Sequence, residues 1–197
     1  MADKNTKINK KNQILDAALQ IFVKKGYSET RMDDIVYASG MSKGAIYHHY
    51  SSKKDLFLEL IDFWELYCFP NILDKKYSNK SACGKLREIV KDIISTFKKK
   101  KYVFLAELEI WSLSNHDDIV RDKTKSLYMN LLKLFSTIIS DGIVNNEFKK
   151  VNIRIAALSI MTSLQGVIWF SIFESSELSA EEYLTEVIEF IIAGLKK

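Results

Sequence analysis

Hydrophobic residues recur every three or four positions along most of the chain, which is the spacing of one face of an α-helix. Polar capping residues and glycines separate these segments. The pattern predicts helices over residues 12–25, 31–39, 43–50, 53–69, 85–97, 102–113, 118–144, 152–173 and 180–195. The chain is therefore predicted to be all-α, with about nine helices and no convincing strand.

Residues that cap helix ends stand at the predicted boundaries. Thr30 and Asp33 resemble a capping box before the second helix, with Asp in place of the usual Glu. Ser42 is suited to cap the third helix, and Ser179 with Glu182 forms a capping box before the last one. These caps indicate the helix starts independently of the hydrophobic pattern.

The composition excludes several classes of protein. One Pro and seven Gly in 197 residues are too few for a turn-rich all-β fold, and 47% hydrophobic residues are too many for a disordered chain. Cys68 and Cys83 do not make a disulfide framework, and the charged N-terminus lacks the apolar segment of a secretory signal. We therefore expect a globular protein of the cytoplasm.

Residues 155–173 contain no charged side chain and are long enough to cross a membrane. Polar side chains are costly in hydrocarbon, and this segment holds several of them. They are Ser159, Thr162, Ser163, Gln165 and Ser171. A helix buried in protein is the preferred interpretation, and no membrane partner is expected.

Positive charge is concentrated in the N-terminal third of the chain. Residues 1–60 contain ten Lys and Arg against seven Asp and Glu, whereas residues 61–197 contain nineteen against eighteen. A basic head on a nearly neutral remainder is typical of a small nucleic-acid-binding module. A solvated surface with a few extra lysines would give the same numbers, so charge alone does not decide.

Two short predicted helices, 31–39 and 43–50, are joined by a turn of three residues that contains Gly40. This arrangement is the helix-turn-helix, whose second helix enters the major groove of DNA. An ordinary helical hairpin with surface aromatics is the alternative. The second helix presents outward Ser42, Lys43, Gly44, Ala45, Tyr47, His48 and His49.

The outward residues of this second helix suit a DNA groove. Lys43 is able to reach either a phosphate or a guanine, and Tyr47 offers a hydroxyl to phosphate. Gly44 and Ala45 are small enough to allow close approach of the helix to the bases. The residues alone thus favour DNA binding about as strongly as the plain hairpin.

The N-terminal third resembles the DNA-binding domain of the TetR family of bacterial transcriptional repressors, and the resemblance covers residues 14–61. Its first part consists of Ile14-Leu15-Asp16-Ala17-Ala18, Phe22, Gly26-Tyr27, Thr30 and Ile35. Its second part consists of Ser39-Gly40-Met41-Ser42-Lys43-Gly44, Ile46-Tyr47-His48-His49-Tyr50 and Lys53-Lys54-Asp55-Leu56-Phe57.

The resemblance implies an all-α homodimer that binds a palindromic operator in double-stranded DNA and is released by a small-molecule effector. It implies a helix-turn-helix domain over 9–55 and a helical ligand-binding and dimerisation domain over 56–197. By position, Ser42, Lys43 and Gly44 would lie near base edges. The residues implied to lie along the phosphates are Tyr47, His48, His49 and Lys53.

The chain departs from the family pattern at the start of the second helix. Many members have two threonines there, whereas here Thr30 is followed by Arg31. Thr30 and Arg31 are both candidates for contacts to DNA, and we expect a charged contact from Arg31 to replace the second hydroxyl contact to phosphate.

Two helices of the body carry aromatic and polar residues at helical spacing. Because bundles bind small molecules between their helices, these residues are candidates for an effector site. Glu107 beside aromatic rings would suit a lipophilic cation, although plain core residues with Glu107 at a wet rim are the alternative. The candidates are Phe104, Glu107, Leu108, Trp111, Met161, Gln165 and Trp169.

The last two predicted helices carry more apolar surface than one partner helix could cover. Pairing them with their symmetry mates as a four-helix bundle predicts a homodimer whose recognition helices are about 34 Å apart. The residues predicted for this dimer interface are Leu184, Ile188, Ile191 and Leu195.

The sequence contains no pattern typical of catalysis, so no enzyme and no cofactor are expected. It has no nucleophile elbow, phosphate loop or dinucleotide fingerprint. His48 and His49 are adjacent and hence about 100° apart on a helix, which is a poor pair of metal ligands. A helical ligand- or partner-binding module without specific DNA binding is the remaining alternative to a regulator.

Overall fold

The computed structural model describes residues 2–68, 80–173 and 177–197, and these residues form ten helical segments. The segments are α1 (Ala2–Lys25), α2 (Met32–Ser39), α3 (Lys43–His49), α4 (Lys53–Cys68), α5 (Ala82–Lys99), α6 (Tyr102–Ser114), α7 (Asp118–Val144), α8 (Ile153–Gln165), α9 (Val167–Ile172) and α10 (Ala180–Leu195). Because α8 and α9 together form the helix predicted over 152–173, the prediction of an all-α chain with about nine helices is confirmed. In the described ranges, extended pairing is limited to one β-bridge between Phe148 and Lys196.

Most of the predicted caps are present. Ser42 Oγ accepts the Ala45 N–H at 3.2 Å, and Ser179 and Glu182 form their capping box at the start of α10. The cap of α2 was predicted one residue too early. Arg31 is the N-cap residue, and its N–H donates to the carboxylate of Asp34 at 2.8 Å, because Thr30 turns inward.

The break between α8 and α9 lies at Gly166 and is explained by one tyrosine. A Cβ at Gly166 would stand 2.2 Å from the Tyr183 hydroxyl, so only glycine allows Tyr183 to pack there. That hydroxyl donates to the carbonyl of Ser163 at 2.7 Å, which satisfies one of the last carbonyls of α8. The uncharged helix is therefore interrupted at Gly166, beside a specific hydrogen bond.

The chain divides into two compact units, which we call the head unit and the body unit. The head unit runs to Glu65 and includes Leu105–Thr124, and the body unit comprises Leu66–Phe104 and Lys125–Lys197. This division by contacts differs from the predicted domain boundary at residue 55, because α4 as far as Glu65, most of α6 and the start of α7 belong with the head. The predicted boundary remains a prediction about function.

The core of the head unit is built on an aromatic cluster. The ring of Phe57 on α4 lies 5.3 Å from Phe22 and 4.8 Å from Tyr27, centroid to centroid, in edge-to-face geometry. Ile35 of α2 and Ile46 of α3 are fully buried, so the inner faces of the two short helices are covered. The predicted small N-terminal bundle is thereby formed.

The core of the body unit is organised around α10, which packs on α5, α8 and α9. Leu184, Ile188 and Leu195 of α10 are buried within the chain itself, and Ile191 is half-buried. The structure thus corrects the predicted dimer interface. These residues share a helix face as expected, but that face is covered by the helices of the same chain.

Two helical stretches, Asp118–Val144 and Ile153–Ile172, are long and apolar enough to cross a membrane by length and composition alone. Core helices of soluble proteins meet the same criterion, so this finding is weak support for a membrane span.

Candidate nucleic-acid interface

Helix α3 exposes the residues that the sequence predicted to face outward. Buried Ile46 anchors its inner side, and buried Tyr50 ends the helix. Ala45 and His49 are half-buried, whereas the other outward residues are exposed. We call this set the recognition surface: Ser42, Lys43, Gly44, Ala45, Tyr47, His48 and His49.

Lys43 is the first residue of α3 and the cation closest to the start of the recognition surface. Its Nζ lies 2.7 Å from Oδ1 of Asp33 on α2 and 5.9 Å from the centre of the Tyr47 ring. The hydrogen bond that Lys43 donates to the Asp33 carboxylate raises the pKa of Lys43, so the lysine is charged at neutral pH. Sequence reasoning missed Asp33, since nothing in the pattern showed that α2 would direct a carboxylate to α3.

Thr30 and Arg31 occupy different environments. Thr30 is 2% exposed, and its hydroxyl donates to the carbonyl of Gly26 at 2.7 Å. Arg31 is exposed at the N-terminus of α2. Of the two predicted phosphate contacts, Arg31 is accessible, whereas Thr30 stabilises the loop between α1 and α2.

Lys53 is another predicted phosphate contact, but its ammonium group forms hydrogen bonds to backbone carbonyls of the head unit. Nζ donates to the carbonyls of Tyr27, Ser28 and Thr30 at 2.6, 3.2 and 2.8 Å. It also lies 4.3 Å from the centre of the Tyr27 ring. Because an ammonium has three N–H donors, these bonds account for all of them. Partial burial lowers the pKa of Lys53.

Side chains of α6, of the turn that follows it and of α7 supply three polar contacts to the loop before α2 and to α4. Glu109 Oε2 accepts the backbone N–H of Tyr27 at 3.0 Å. Lys54 pairs with Asp117 at 2.6 Å. The third contact joins Lys123 to Asp62 at 2.7 Å. No sequence signal could reveal these pairs, because the partners are far apart in the chain and Glu109, Asp117 and Lys123 belong to no motif.

The predicted effector residues do not share one environment. Phe104, Glu107 and Met161 are buried, and Leu108 and Gln165 are half-buried. Trp111 and Trp169 are 41% and 63% exposed. Glu107, Leu108 and Trp111 belong to the head unit, and the others belong to the body unit.

Trp169 lies at the surface of the body unit. Its ring stacks on that of Phe173 with centroids 5.8 Å apart and planes 12° apart. Both side chains are largely exposed. This placement favours a role for Trp169 on an outer surface rather than in an internal pocket.

A cavity of about 140 Å³ lies between α5 and α10 in the body unit. Its lining is mainly apolar, and the Lys98–Glu181 ion pair, 2.5 Å long, closes one side. None of the seven predicted effector residues lines it. Elsewhere, the described ranges contain no group of three His, Cys, Asp or Glu side chains that could hold a metal ion.

Comparisons with known proteins agree with the geometry of the head. The family of bacterial regulatory proteins named tetR matches residues 14–60. A helix-turn-helix transcriptional regulator from the lacX 3′ region of Lactococcus lactis subsp. lactis is 30% identical over 165 residues, which are 80% of this chain and 81% of that protein. The regulator QacR of Staphylococcus aureus is 24% identical over 193 residues, covering 96% of this chain and 100% of QacR.

The fold is shared with solved structures as well. A transcriptional regulator from Saccharomonospora viridis, crystallised in complex with choline, has a TM-score of 0.80 at 20% identity and covers 95% of this chain and 97% of its own.

A three-helix head that exposes its third helix defines a helix-turn-helix transcriptional regulator. The chain belongs to the TetR family of bacterial regulatory proteins. It is accordingly a regulator and not an enzyme. Members of this family bind DNA operators and small-molecule effectors, typically as dimers.

Proposed function

We propose that this protein is a cytoplasmic repressor that binds a palindromic operator as a homodimer and releases it when a small-molecule effector binds. The recognition surface carries this proposal. It places a charged lysine, two small residues and a tyrosine on one exposed side of a helix whose other side is buried. A module that had lost its operator would not need this combination.

Within the operator complex, we assign base contacts to the start of α3 and phosphate contacts to its remainder. Lys43 donates to a base or a phosphate, and Gly44 and Ala45 allow the helix to approach. Tyr47 and the two histidines contact phosphates and so set the position of the helix. Arg31 adds a further cation at the start of α2. Lys53 serves instead to position the loop that precedes α2.

A second copy of the chain is proposed to cover the outer apolar face of the body unit. This face, which we call the self-association surface, consists of exposed residues of α8, α9 and α10. Large exposed apolar patches mark interaction sites, and a two-fold axis would bring two recognition helices about 34 Å apart. The residues of the surface are Ile155, Leu158, Trp169, Ile172 and Phe190.

The effector is proposed to be a lipophilic cation that binds near Glu107 of α6. The support is a carboxylate that is only 7% exposed, on a helix that also carries Phe104 and Trp111. Aromatic faces and a buried carboxylate both favour positive charge. Trp169 is left out of this proposal, because it is assigned to the self-association surface.

DNA binding is tested by fluorescence anisotropy with fragments from upstream of the gene and its neighbours, at matched salt. We expect Lys43→Ala to weaken operator binding by about 1–3 kcal/mol if the lysine contacts a base, and by less if it contacts phosphate. Tyr47→Phe should weaken binding without relaxing sequence preference. Lys91→Ala on α5, which is 70% exposed, removes the same charge and should have no effect. Unchanged operator affinity in both head variants would refute the assignment.

The effector is tested by titrating tryptophan fluorescence with lipophilic cations, neutral aromatics and fatty acids. Quenching by cations that is lost in Glu107→Gln, with an unchanged circular dichroism spectrum, would support the proposal. Tight binding of a neutral or anionic compound that is unaffected by this change would argue against it.

A further inference from the structure

The surface formed by α2 and α3 carries an acidic residue where a DNA-binding protein would be expected to be basic. Asp33 is exposed on α2, and its carboxylate lies 2.7 Å from the ammonium of Lys43. Both side chains are more than three-fifths exposed. The pair therefore lies in the solvent that a DNA duplex would displace.

Asp33 lies in the first turn of α2, where negative charge stabilises a helix, but the cap of α2 does not require this carboxylate. The neighbouring Asp34 already completes the cap, because it accepts the Arg31 N–H at 2.8 Å and pairs with Lys25 at 2.6 Å. Asp33 is directed to α3 instead. Exposed ion pairs contribute little to stability, so the effect of the Asp33–Lys43 pair should be found in binding.

A carboxylate at a DNA interface has two physical consequences. It repels phosphates and neutralises a lysine that would otherwise bind any phosphate. It also accepts a hydrogen bond from the N4 amino group of cytosine, the base edge that Asp and Glu recognise. A lysine beside it is suited to donate to guanine O6 or N7.

We propose that Asp33 is a specificity-determining residue of the recognition surface. On unrelated DNA its carboxylate retains the ammonium of Lys43 and weakens non-specific binding. On the operator it accepts from a cytosine N4 amino group while Lys43 donates to a guanine. The inference rests on the proposed operator-binding function.

The test compares Asp33→Ala and Asp33→Asn with Asp118→Asn. The control removes the same charge from a similar exposed pair, since Asp118 lies 2.5 Å from Arg121 in the first turn of α7. Binding is measured by anisotropy to a mapped operator, to operators changed symmetrically at each base pair, and to random DNA, over a range of salt concentrations.

We expect both Asp33 variants to bind random DNA about 3- to 10-fold more tightly, with a salt dependence steeper by about one ion per protomer, because Lys43 is freed for phosphate. At one C·G position, wild-type discrimination of about 5- to 100-fold should fall below about two-fold in Asp33→Ala, whereas Asp33→Asn keeps a carbonyl acceptor and should retain part of it. Asp118→Asn should change neither quantity. In Lys43→Ala, the further change Asp33→Asn should tighten random binding less than it does in the wild-type background, because only the repulsion of phosphate by Asp33 is then removed.

Asp33 variants that keep the wild-type ratio of operator to random binding would overturn the inference and leave the proposed function intact. Wild-type protein that binds no fragment in preference to random DNA would overturn both. Thermal unfolding shows whether α2 remains folded, and the Lys43→Ala background supplies a second, independent readout.

Discussion

The outer surfaces of the head unit and the body unit are built on different principles. In the head, polar side chains hold backbone groups in place, as when Lys53 binds three carbonyls and Gln13 donates to the carbonyl of Ser39 at 2.8 Å. In the body, the exposed faces of α8 and α9 carry Ile155 and Trp169, and α10 carries Phe190. These features of the head are directed hydrogen bonds to backbone carbonyls, whereas the feature of the body is exposed apolar area.

This difference explains why DNA binding by the head could be inferred from particular residues, whereas self-association through the body could not. A DNA groove demands donors and small residues at fixed offsets, so the chain from Ser42 to Tyr50 carries a recognisable pattern. A helical interface demands only shape and apolar area, which many sequences satisfy. The head therefore carries a pattern that, together with its resemblance to a known family, predicts DNA as a partner, whereas the body carries no such pattern.

The largest effect is expected when the self-association surface of the body unit is made polar. Trp169→Glu together with Phe190→Glu should weaken self-association by at least about 100-fold, because exposed aromatics at interface centres contribute about 2 kcal/mol or more each. Sedimentation velocity at micromolar concentration should then show a monomer with an unchanged circular dichroism spectrum.

The matched control for this prediction is Ile119→Glu, which introduces one such negative charge at a 57% exposed apolar position of the head unit. It should leave the oligomeric state unchanged. A dimer that persists in the double variant would place the interface elsewhere.

The next test separates the two roles that Lys53 could have. Lys53→Met should lower the free energy of unfolding by about 2 kcal/mol, because partly buried carbonyls lose a charged donor. The salt dependence of operator binding should stay the same, since no phosphate contact is lost. Urea unfolding and anisotropy measure the two quantities, and Lys43→Met is the control with the opposite expectation. If the salt dependence of operator binding in Lys53→Met instead fell by about one ion per protomer, Lys53 would be a phosphate contact after all.

A smaller effect is expected at Glu109, which binds the Tyr27 N–H. Glu109→Ala should destabilise the head by about 1 kcal/mol, because it leaves this partly buried donor without its acceptor. Glu109→Gln keeps a carbonyl oxygen in place and should recover most of the loss. Equal destabilisation by both substitutions would show that the charge, and not the hydrogen bond, stabilises the loop.

The smallest expected effect is a pH dependence of head stability. The hydrogen bond from Lys54 is the main cause that holds the pKa of Asp117 below its ordinary value of 3.8. A lowered folded-state pKa contributes stability that is complete above the ordinary value and is lost as the pH falls through the folded value. Asp117→Asn should therefore flatten the decline of the Tm below pH 4, whereas Asp118→Asn should not. An unchanged decline in Asp117→Asn would show that other groups cause it.

The helices and most of their caps could be predicted because both depend on residues that are close in sequence. Ser42, Ser179 and Gly26 act on backbone groups within four residues of themselves. The cap of α2 shows the limit. Thr30 and Asp33 have the right spacing, but Thr30 is drawn inward to Gly26, and the next residue pair forms the cap instead.

The site could be predicted only as far as its motif extends. Hydrophobic periodicity showed that Ile188 and Leu195 share a face, but it could not show whether this chain or a second copy covers that face. The same ambiguity applies to Trp169, whose spacing suited a pocket although its ring is exposed. Lys53 matched the motif, yet its ammonium binds carbonyls that become neighbours only after folding.

The contact between Tyr27 and Glu109 has a consequence for synthesis of the chain on the ribosome. Glu109 is translated 82 residues after Tyr27, which at about 5–20 residues per second is a delay of about 4–16 s. The nascent head therefore carries its whole recognition helix before the acceptor for the Tyr27 N–H exists. The loop between α1 and α2 gains this hydrogen bond only after most of α6 has been made. A truncated chain that ends at α4 would therefore compete with the full-length protein for the operator while lacking the Glu109 contact.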